Sequence, residues 1–289
     1  MIDKPQRDFP REGLARSGEV RFNLDRTLKS VVTIQSSIPE DAFTAPTLGE
    51  RRSGSGVVIR DSGLVLTIGY LITEAENVWL AGADGHVTPA HALAVDPESG
   101  FGLVQALDRL DCPALELGRS GEAELGDPVL VAAGGATKPV RATIVGKQEF
   151  AGYWEYYLEE AIFTAPAHPF WGGAGAIDRD GRLLGVGSLH VERFATVGGP
   201  SGMNMVVPID LLKPILDDLT AYGRVNKPAR PWLGIYSAES EDDIVVASVA
   251  ERGPAGVEIP IEIIRDGRAL GFRVQSADRS AFLKRPRLQ

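Results

Sequence analysis

The stretch SGSGVVIRDSGLVLT, residues 53–67, contains two apolar runs separated by a short polar step. The first run, at 57–59, is β-branched, and the second, at 64–66, is equally apolar. β-Branched and other apolar residues favour strands, whereas Asp, Ser and Gly favour turns. The stretch therefore predicts two consecutive strands joined by a turn at residues 61–63.

Similar short apolar runs continue through most of the chain. The first set lies at residues 31–35, 55–59, 63–67, 77–80 and 101–105, and the second at 128–132, 141–145, 161–164, 183–186 and 205–208. The 33 glycines and 19 prolines are distributed among these runs, as expected for a β-rich chain with many turns. Two sets of roughly six strands each predict a mainly β fold of two packed antiparallel barrels or sandwiches.

One helix is indicated after the second set of runs. Asp210 can cap it, Gly223 can end it, and the apolar residues between them recur at helical spacing. Pro214 is compatible with a first helical turn, where its missing N–H would have little intrahelical partnership. We therefore predict a helix over 210–223 that begins close to Leu211.

Composition restricts the class of partner. The formal net charge of -9 and the pI near 5.1 argue against a nucleic acid as the main partner of this 289-residue chain. The lone cysteine, Cys112, excludes an intramolecular disulfide and lacks basic neighbours, so we expect a packed thiol. His86 and His91 have an odd spacing that sends them to opposite faces of an extended chain, so we expect no metal site and no cofactor.

The N-terminus bears on the compartment. Residues 1–10, MIDKPQRDFP, have charges and prolines where a secretory signal has its apolar region. No later stretch is apolar enough to span a bilayer. We therefore expect a cytoplasmic protein with no membrane partner, or a periplasmic one if a leader has been removed.

The order of these segments resembles the HtrA/Deg family of trypsin-like serine proteases, which carry a C-terminal PDZ domain. Four segments carry the resemblance: residues 53–67 resemble the approach to the catalytic histidine, 126–129 the family's Val-Gly-Asp segment, 205–208 the exit into the helix, and 231–235 the start of the PDZ domain. The resemblance covers roughly residues 28–275. It implies a trypsin-like double six-stranded β-barrel with a C-terminal helix, followed by a small β domain.

The resemblance also implies domain boundaries. A tail at 1–27 precedes a protease-fold domain at 28–228, whose barrels span about 28–118 and 119–209 and whose helix spans 210–223. A PDZ-like domain at 229–278 is truncated, because residues 251–255 lead almost directly to 259–261 with no second helix between them. A hairpin of residues 259–264 and 269–274 is predicted within it, and 279–289 is predicted to be a basic tail.

The catalytic residues of the family do not carry over. Its general-base histidine, orienting aspartate and nucleophilic serine correspond here to Tyr70, Gly100 and Gly172, or Trp171 for the serine if the register shifts by one residue. Glycine has no side chain, and an indole nitrogen is not nucleophilic. A phenol, with an ordinary pKa of about 10, stays protonated at neutral pH and replaces imidazole poorly. The resemblance thus implies a non-catalytic protease fold with no catalytic residues.

Aromatic side chains are the candidate binding residues. Tyr70, Phe170 and Trp171 are expected to converge where the family has its active site, either as a plug or as a pocket. A second aromatic stretch at 150–157 is expected to form either an interface or ordinary barrel packing, and its binding candidates are Tyr153, Trp154 and Tyr156.

Three functions remain open at this stage. The first is a pseudoprotease that binds a protein partner or substrate, for example an active HtrA-type relative, and the family resemblance allows a homotrimer. The second is a hydrolase with a relocated site around His168 or Tyr70, or one completed by a partner subunit. The third is a sensor of peptides or small molecules that uses the aromatic cleft as its pocket.

Overall fold

The computed structural model describes residue 18 and residues 20–135, 137–152, 156–195, 199–228, 230, 232–240, 243–249, 257–265 and 268–284. Within this part of the chain the secondary structure is mainly β. No helix in it combines the length and the apolar character needed to cross a bilayer.

The first barrel is built from the N-terminal third of the chain. Its six strands are β1 (Val31–Ser37), β2 (Arg51–Arg60), β3 (Leu64–Ile68), β4 (Asn77–Ala81), β5 (Val87–Val95) and β6 (Phe101–Ala106). They close in the order β1-β2-β3-β6-β5-β4 with antiparallel pairing throughout. Two short helices accompany them, α1 (Leu24–Lys29) before β1 and α2 (Ala45–Leu48) between β1 and β2.

The second barrel has the same number of strands and the same kind of closure. Its strands are β7 (Pro128–Ala132), β8 (Val140–Ala151), β9 (Tyr157–Ala165), β10 (Gly175–Ile177), β11 (Leu183–Ala195) and β12 (Gly199–Pro208). They close in the order β10-β11-β12-β9-β8-β7. The predicted double six-stranded barrel is therefore confirmed.

Alternation of side chains explains why each sheet closes on a core. Along β5, residues 88, 90, 92 and 94 are buried while the intervening residues are exposed or half-buried. One hydrophobic cluster extends from Ile34 and Leu66 in the first barrel to Ile177 and Val186 in the second. Burial of each such aliphatic side chain stabilises the fold by about 1.5–3 kcal/mol. The barrels consequently pack on one another, and the loops at their junction lie side by side.

The predicted C-terminal helix starts later than expected. Residues Ile209–Leu211 form a 3-10 turn, and the α-helix α3 (Leu216–Tyr222) begins only after Pro214. A prolyl ring disfavours helical geometry at the residue before it, so the prediction that the helix begins near Leu211 is wrong. Asp210 does not cap α3, because its carboxylate accepts the Gly121 N–H at 2.7 Å. Gly223, with φ of 68°, does end the helix as predicted.

The C-terminal region consists of paired strands. β13 (Ile235–Ser240) pairs with β14 (Asp243–Val249), and β15 (Val257–Arg265) pairs with β16 (Arg268–Ser276). The predicted hairpin is present, since Ile259 lies opposite Val274. The truncated PDZ-like domain, with its boundaries, stays a prediction.

Both predicted tails have structured parts. Leu24 and Thr27, assigned to the N-terminal tail, are buried residues of α1, which Asn23 caps through the Arg26 N–H at 3.0 Å. At the other end, residues Arg279–Ala281 form a 3-10 turn and the chain up to residue 284 packs on the first barrel. A basic tail over 279–289 is therefore wrong for residues 279–284, and 285–289 lie outside the described part.

Candidate active site

Tyr70 lies at the junction of the two barrels. It follows β3 in a 3-10 turn, Gly69–Leu71, whose first N–H donates to the Gly100 carbonyl at 2.7 Å. The Tyr70 hydroxyl crosses to the second barrel and donates to the Ser188 carbonyl at 2.8 Å. The turn thus ties residues 70, 100 and 188 into one cluster.

Gly172 faces the same hydroxyl. A Cβ atom added at this position would lie 2.8 Å from the Tyr70 phenolic oxygen. The Gly172 carbonyl accepts the Ser55 N–H at 2.8 Å, which anchors it to β2. The neighbouring Trp171 ring instead packs on His190, with centroids 5.1 Å apart. Of the two residues considered for the serine position, Gly172 is the one whose missing side chain would meet Tyr70.

Gly100 is covered by the ring of Tyr156, a residue that the sequence had predicted to be a binding residue. Gly100 has φ of +80°, and an added Cβ would lie only 2.0 Å from Cε1 of Tyr156. The Tyr156 hydroxyl donates to Oγ of Ser188. Tyr156 therefore occupies the space beside Gly100 that an acidic side chain at this position would need.

Ser188 joins the two phenols and was not singled out by the sequence. It is fully buried and lies at a β-bulge in β11, where pairing with β12 shifts between Gly187 and Leu189. Bulges change the direction in which side chains point. Here the Ser188 carbonyl accepts a hydrogen bond from Tyr70, and the Ser188 hydroxyl accepts one from Tyr156. The contacts fit the plug alternative, because both phenols are partly buried and both are hydrogen-bonded to Ser188.

Two carboxylates of the loop before Gly100, Asp96 and Glu98, are engaged in structural contacts. Asp96 is buried and accepts hydrogen bonds from Ser99 at 2.9 Å (N–H) and 2.6 Å (hydroxyl). Glu98 pairs with Lys227 at 2.7 Å and with Arg230 at 3.2 Å, which tethers the segment after α3 to this loop. Neither acid reaches Tyr70 through a hydrogen bond shown in the structure.

His168 is a buried structural residue. Its Nδ1 accepts the Phe170 N–H at 3.0 Å, so Nε2 carries the proton and donates to the Lys138 carbonyl at 3.1 Å. Its backbone is held by Asn204, which accepts the His168 N–H at 2.6 Å. Burial lowers the pKa of His168 to about 4 despite these hydrogen bonds. The histidine is therefore neutral at pH 7 and enclosed, which disfavours a relocated hydrolytic site around it.

The shifted His168 predicts a specific loss of stability in acid. The pKa of His168 is about 4 in the folded protein and its ordinary value is 6.5, so its contribution to the free energy of unfolding is fully present above pH 6.5 and is lost as the pH falls towards 4. The loss amounts to about 3 kcal/mol. Urea unfolding at pH 7 and pH 4 should show this difference in the native protein and a smaller one in His168→Gln. The exposed His86→Gln is the control, and equal pH dependence in all three proteins would contradict the assignment.

The turn after Phe170 is fixed by close backbone contacts. Gly173 has φ of +76°, and a Cβ there would lie 1.8 Å from the Ser55 carbonyl oxygen. Its N–H donates to the Gly187 carbonyl at 2.8 Å. The Phe170 ring at the start of the turn is 41% exposed, so it can contact a ligand.

Other predicted residues lie apart from this cluster. Tyr153 and Trp154 lie outside the described residues, while Phe150 packs on Tyr156 with centroids 6.4 Å apart. Cys112 is a half-buried thiol, as expected, and burial, followed by Asp84 and Asp111, raises its pKa. Two surface depressions of the described residues lie elsewhere, one around 61–63 with 106–111 and the other around 119–129 with 178–184.

Known proteins resemble this chain over both barrels. Residues 54–186 match the model of the trypsin-like peptidase domain. A probable periplasmic serine endoprotease, DegP-like, of Pseudomonas fulva (strain 12-X) is 26% identical over 250 residues, covering 84% of this chain and 50% of the relative. A protein of the same description from Halomonas elongata (strain ATCC 33173 / DSM 2581 / NBRC 15536 / NCIMB 2198 / 1H9) is 24% identical, covering 82% and 51%. The chain thus spans about half the length of the curated relatives it matches.

Solved structures share the fold. The HtrA-type protease AlgW with tripeptide has a TM-score of 0.56 at 20% identity, covering 91% of this chain and 96% of its own. The same protease with decapeptide has a TM-score of 0.55 at 21% identity, covering 91% and 98%. The expected cytoplasmic location is wrong by these comparisons, because the relatives are named as periplasmic proteins. The charged first residues that suggested it are a weak guide to compartment.

Proposed function

Since this chain belongs to the HtrA-type trypsin-like protease family, we propose that it keeps the family's double-barrel scaffold as a protein-binding or regulatory module and does not cleave. One observation carries the proposal. Gly172 faces the hydroxyl of Tyr70, while Gly100 lies under the ring of Tyr156. The three positions that meet between the barrels thus hold no nucleophile, no imidazole and no carboxylate.

The chemistry of acyl transfer supports this proposal. A nucleophile at residue 172 would need a base at residue 70 to take its proton. The Tyr70 phenol already donates its own proton to the Ser188 carbonyl, so it is placed as a donor and not as a base. Losing one member of such a triad costs orders of magnitude in rate, and here none of the three groups is present.

The backbone of the turn adds a second argument. Oxyanion stabilisation requires N–H groups aimed at the developing charge. In this structure the Phe170 N–H is bound to Nδ1 of the buried His168. That hydrogen bond withdraws a donor from the turn, which further disfavours hydrolysis.

The cleft retains features that suit a polypeptide ligand. β11 pairs with β10 only as far as Val186, while β12 covers its other edge as far as Ala195. Beyond Ser188 its second edge pairs with no strand among the described residues, and an extended peptide can add to such an edge. Phe170 is exposed nearby, and aromatic residues are common binding hot spots. We therefore propose that the ligand is an extended protein segment, from an unfolded protein or an HtrA-type relative. We also propose that the module acts in the periplasm and that it assembles with other copies of itself.

Binding without cleavage is the test of this function. Fluorescently labelled, reduced casein should bind the chain in an anisotropy titration and remain full-length on a denaturing gel. Phe170→Ala should weaken binding by about tenfold, equivalent to about 1.4 kcal/mol. Tyr222→Ala, which removes a 65% exposed ring on α3, is the matched control and should bind normally. Absence of binding, or equal weakening by both variants, would contradict the proposed binding cleft.

A further inference from the structure

The end of the described chain returns to the first barrel. Trp232 and Ala277 exchange two backbone hydrogen bonds, of 2.8 and 2.9 Å, and residues 278–284, here termed the C-terminal strap, continue from this point. The Phe282 ring packs on Trp232 and Phe43, with centroids 5.5 and 6.3 Å away. Phe43 and Trp232 themselves meet edge to face at 5.7 Å. The strap therefore inserts one aromatic side chain into a slot made by two others.

A buried carboxylate holds the far end of the strap. Glu74 is 4% exposed, and its Oε1 accepts the backbone N–H groups of Lys284 at 2.9 Å and Phe43 at 3.0 Å. Its Oε2 accepts from Thr44, from both the N–H and the hydroxyl at 2.7 Å. The Lys284 ammonium also pairs with Asp41. Glu74 has φ of 63° and is the one non-glycine with positive φ in the described part of the chain, so its surroundings must hold it there.

Arg52 extends this contact to the cleft. It is 5% exposed and donates to the Thr44 hydroxyl at 2.8 Å and to the Tyr70 carbonyl at 2.7 Å. A further bond of 3.0 Å reaches the Thr73 carbonyl. Burial lowers the pKa of Arg52 to about 10, with Glu74 opposing the shift, so the guanidinium remains charged at neutral pH. A continuous set of charge-assisted hydrogen bonds thus runs from Lys284 to the turn that carries Tyr70.

We propose that the slot of Phe43, Trp232 and Glu74 is a docking site for the C-terminal strap, and that its occupancy fixes the turn at 69–74 that carries Tyr70. The ligand is a segment with an aromatic residue two positions before a lysine, which this chain supplies from its own end. None of the strap's 3-10 residues is buried, so the strap can detach at a lower free-energy cost than a barrel strand. The inference goes beyond the proposed function, because it holds whether or not the cleft binds a polypeptide.

Amide hydrogen exchange on the full chain tests the proposal. The Ile72 and Thr73 N–H groups donate to the Gly69 carbonyl within the turn, and the Gly69 N–H donates to the Gly100 carbonyl, so all three report the stability of the turn. Phe282→Ala should speed exchange at residues 69–74 by about tenfold, while Tyr222→Ala should leave it unchanged. Phe282→Leu keeps an apolar side chain and should give a smaller effect if the alanine variant folds poorly.

The same exchange measurement can contradict the coupling between the C-terminal strap and the turn. If residues 278–284 lose protection in either Phe282 variant while 69–74 keep theirs, the strap is not coupled to the turn. A synthetic peptide of residues 277–284 should restore protection at 69–74 in Phe282→Ala, and a peptide with alanine at the phenylalanine position should not. Equal behaviour of the two peptides would overturn the docking site.

Discussion

Gly173→Ala is expected to lower the free energy of unfolding by roughly 4 kcal/mol or more, enough to unfold a marginally stable domain. The new Cβ would lie 1.8 Å from the Ser55 carbonyl oxygen, a backbone atom that Thr67 Oγ1 also holds at 2.7 Å. The φ of +76° adds a conformational cost for any residue with a Cβ. Neither β2, which carries Ser55, nor β3, which carries Thr67, can move away without breaking contacts between the barrels. Urea unfolding followed by circular dichroism measures the loss.

The neighbouring glycine provides the matched control. Gly172→Ala places a Cβ 2.8 Å from the Tyr70 hydroxyl, which is the end of a side chain and can move. The expected cost is about 1 kcal/mol, the size of the lost Tyr70–Ser188 hydrogen bond. If the two alanine variants are equally stable, the close packing described for the turn is wrong.

Introducing together the residues that the family resemblance assigns to these positions, as Tyr70→His, Gly100→Asp and Gly172→Ser, is expected to leave casein uncleaved. We expect a rate at least about a thousandfold below that of an active HtrA-type protease. The aspartate side chain would start 2.0 Å from the Tyr156 ring, so it cannot sit beside residue 70 while Tyr156 keeps its place. The Phe170 N–H would also remain bound to His168. Release of fluorescent peptides from labelled casein measures the rate.

Two further readouts separate this explanation from simple misfolding. Circular dichroism should show that the triple variant still contains β structure. Adding Tyr156→Gly to it should raise the free energy of unfolding by about 1–3 kcal/mol, because the overlap at residue 100 is relieved. Casein cleavage by the triple variant within about tenfold of an active protease would refute the obstruction assigned to Tyr156 and His168.

The barrels were predictable because their signal is local. The runs at 57–59 and 64–66 became β2 and β3, and the hairpin pairing Ile259 with Val274 followed from two apolar runs around one turn. Neighbouring strands and short turns leave a pattern within a few residues, and a closed antiparallel barrel repeats that pattern. The prediction of where α3 starts failed, because a proline such as Pro214 is compatible with the first turn of a helix and also with the residues just before a helix.

The contacts that define the site have no comparable local pattern. Tyr156 and Ser188 are 32 residues apart, and Tyr70 and Ser188 are 118 apart. Their pairing depends on a bulge in β11 and on how the barrels pack, which apolar periodicity does not encode. The strap is a similar case, since Lys284 meets Glu74 across 210 residues and its basic neighbours resembled a solvated tail. The resemblance assigned Tyr70, Gly100 and Gly172 to one site, but the sequence did not predict which side chains fill the space between them.

The junction of the barrels is expected to hold no working nucleophile. Incubation of the native protein with a fluorophosphonate probe, followed by intact-mass spectrometry, detects such a nucleophile. We predict that the mass stays unchanged under conditions that fully label an active HtrA-type protease. A stoichiometric mass increase that maps to the turn at 168–175, and that disappears on heat denaturation before labelling, would show that the junction holds a working nucleophile.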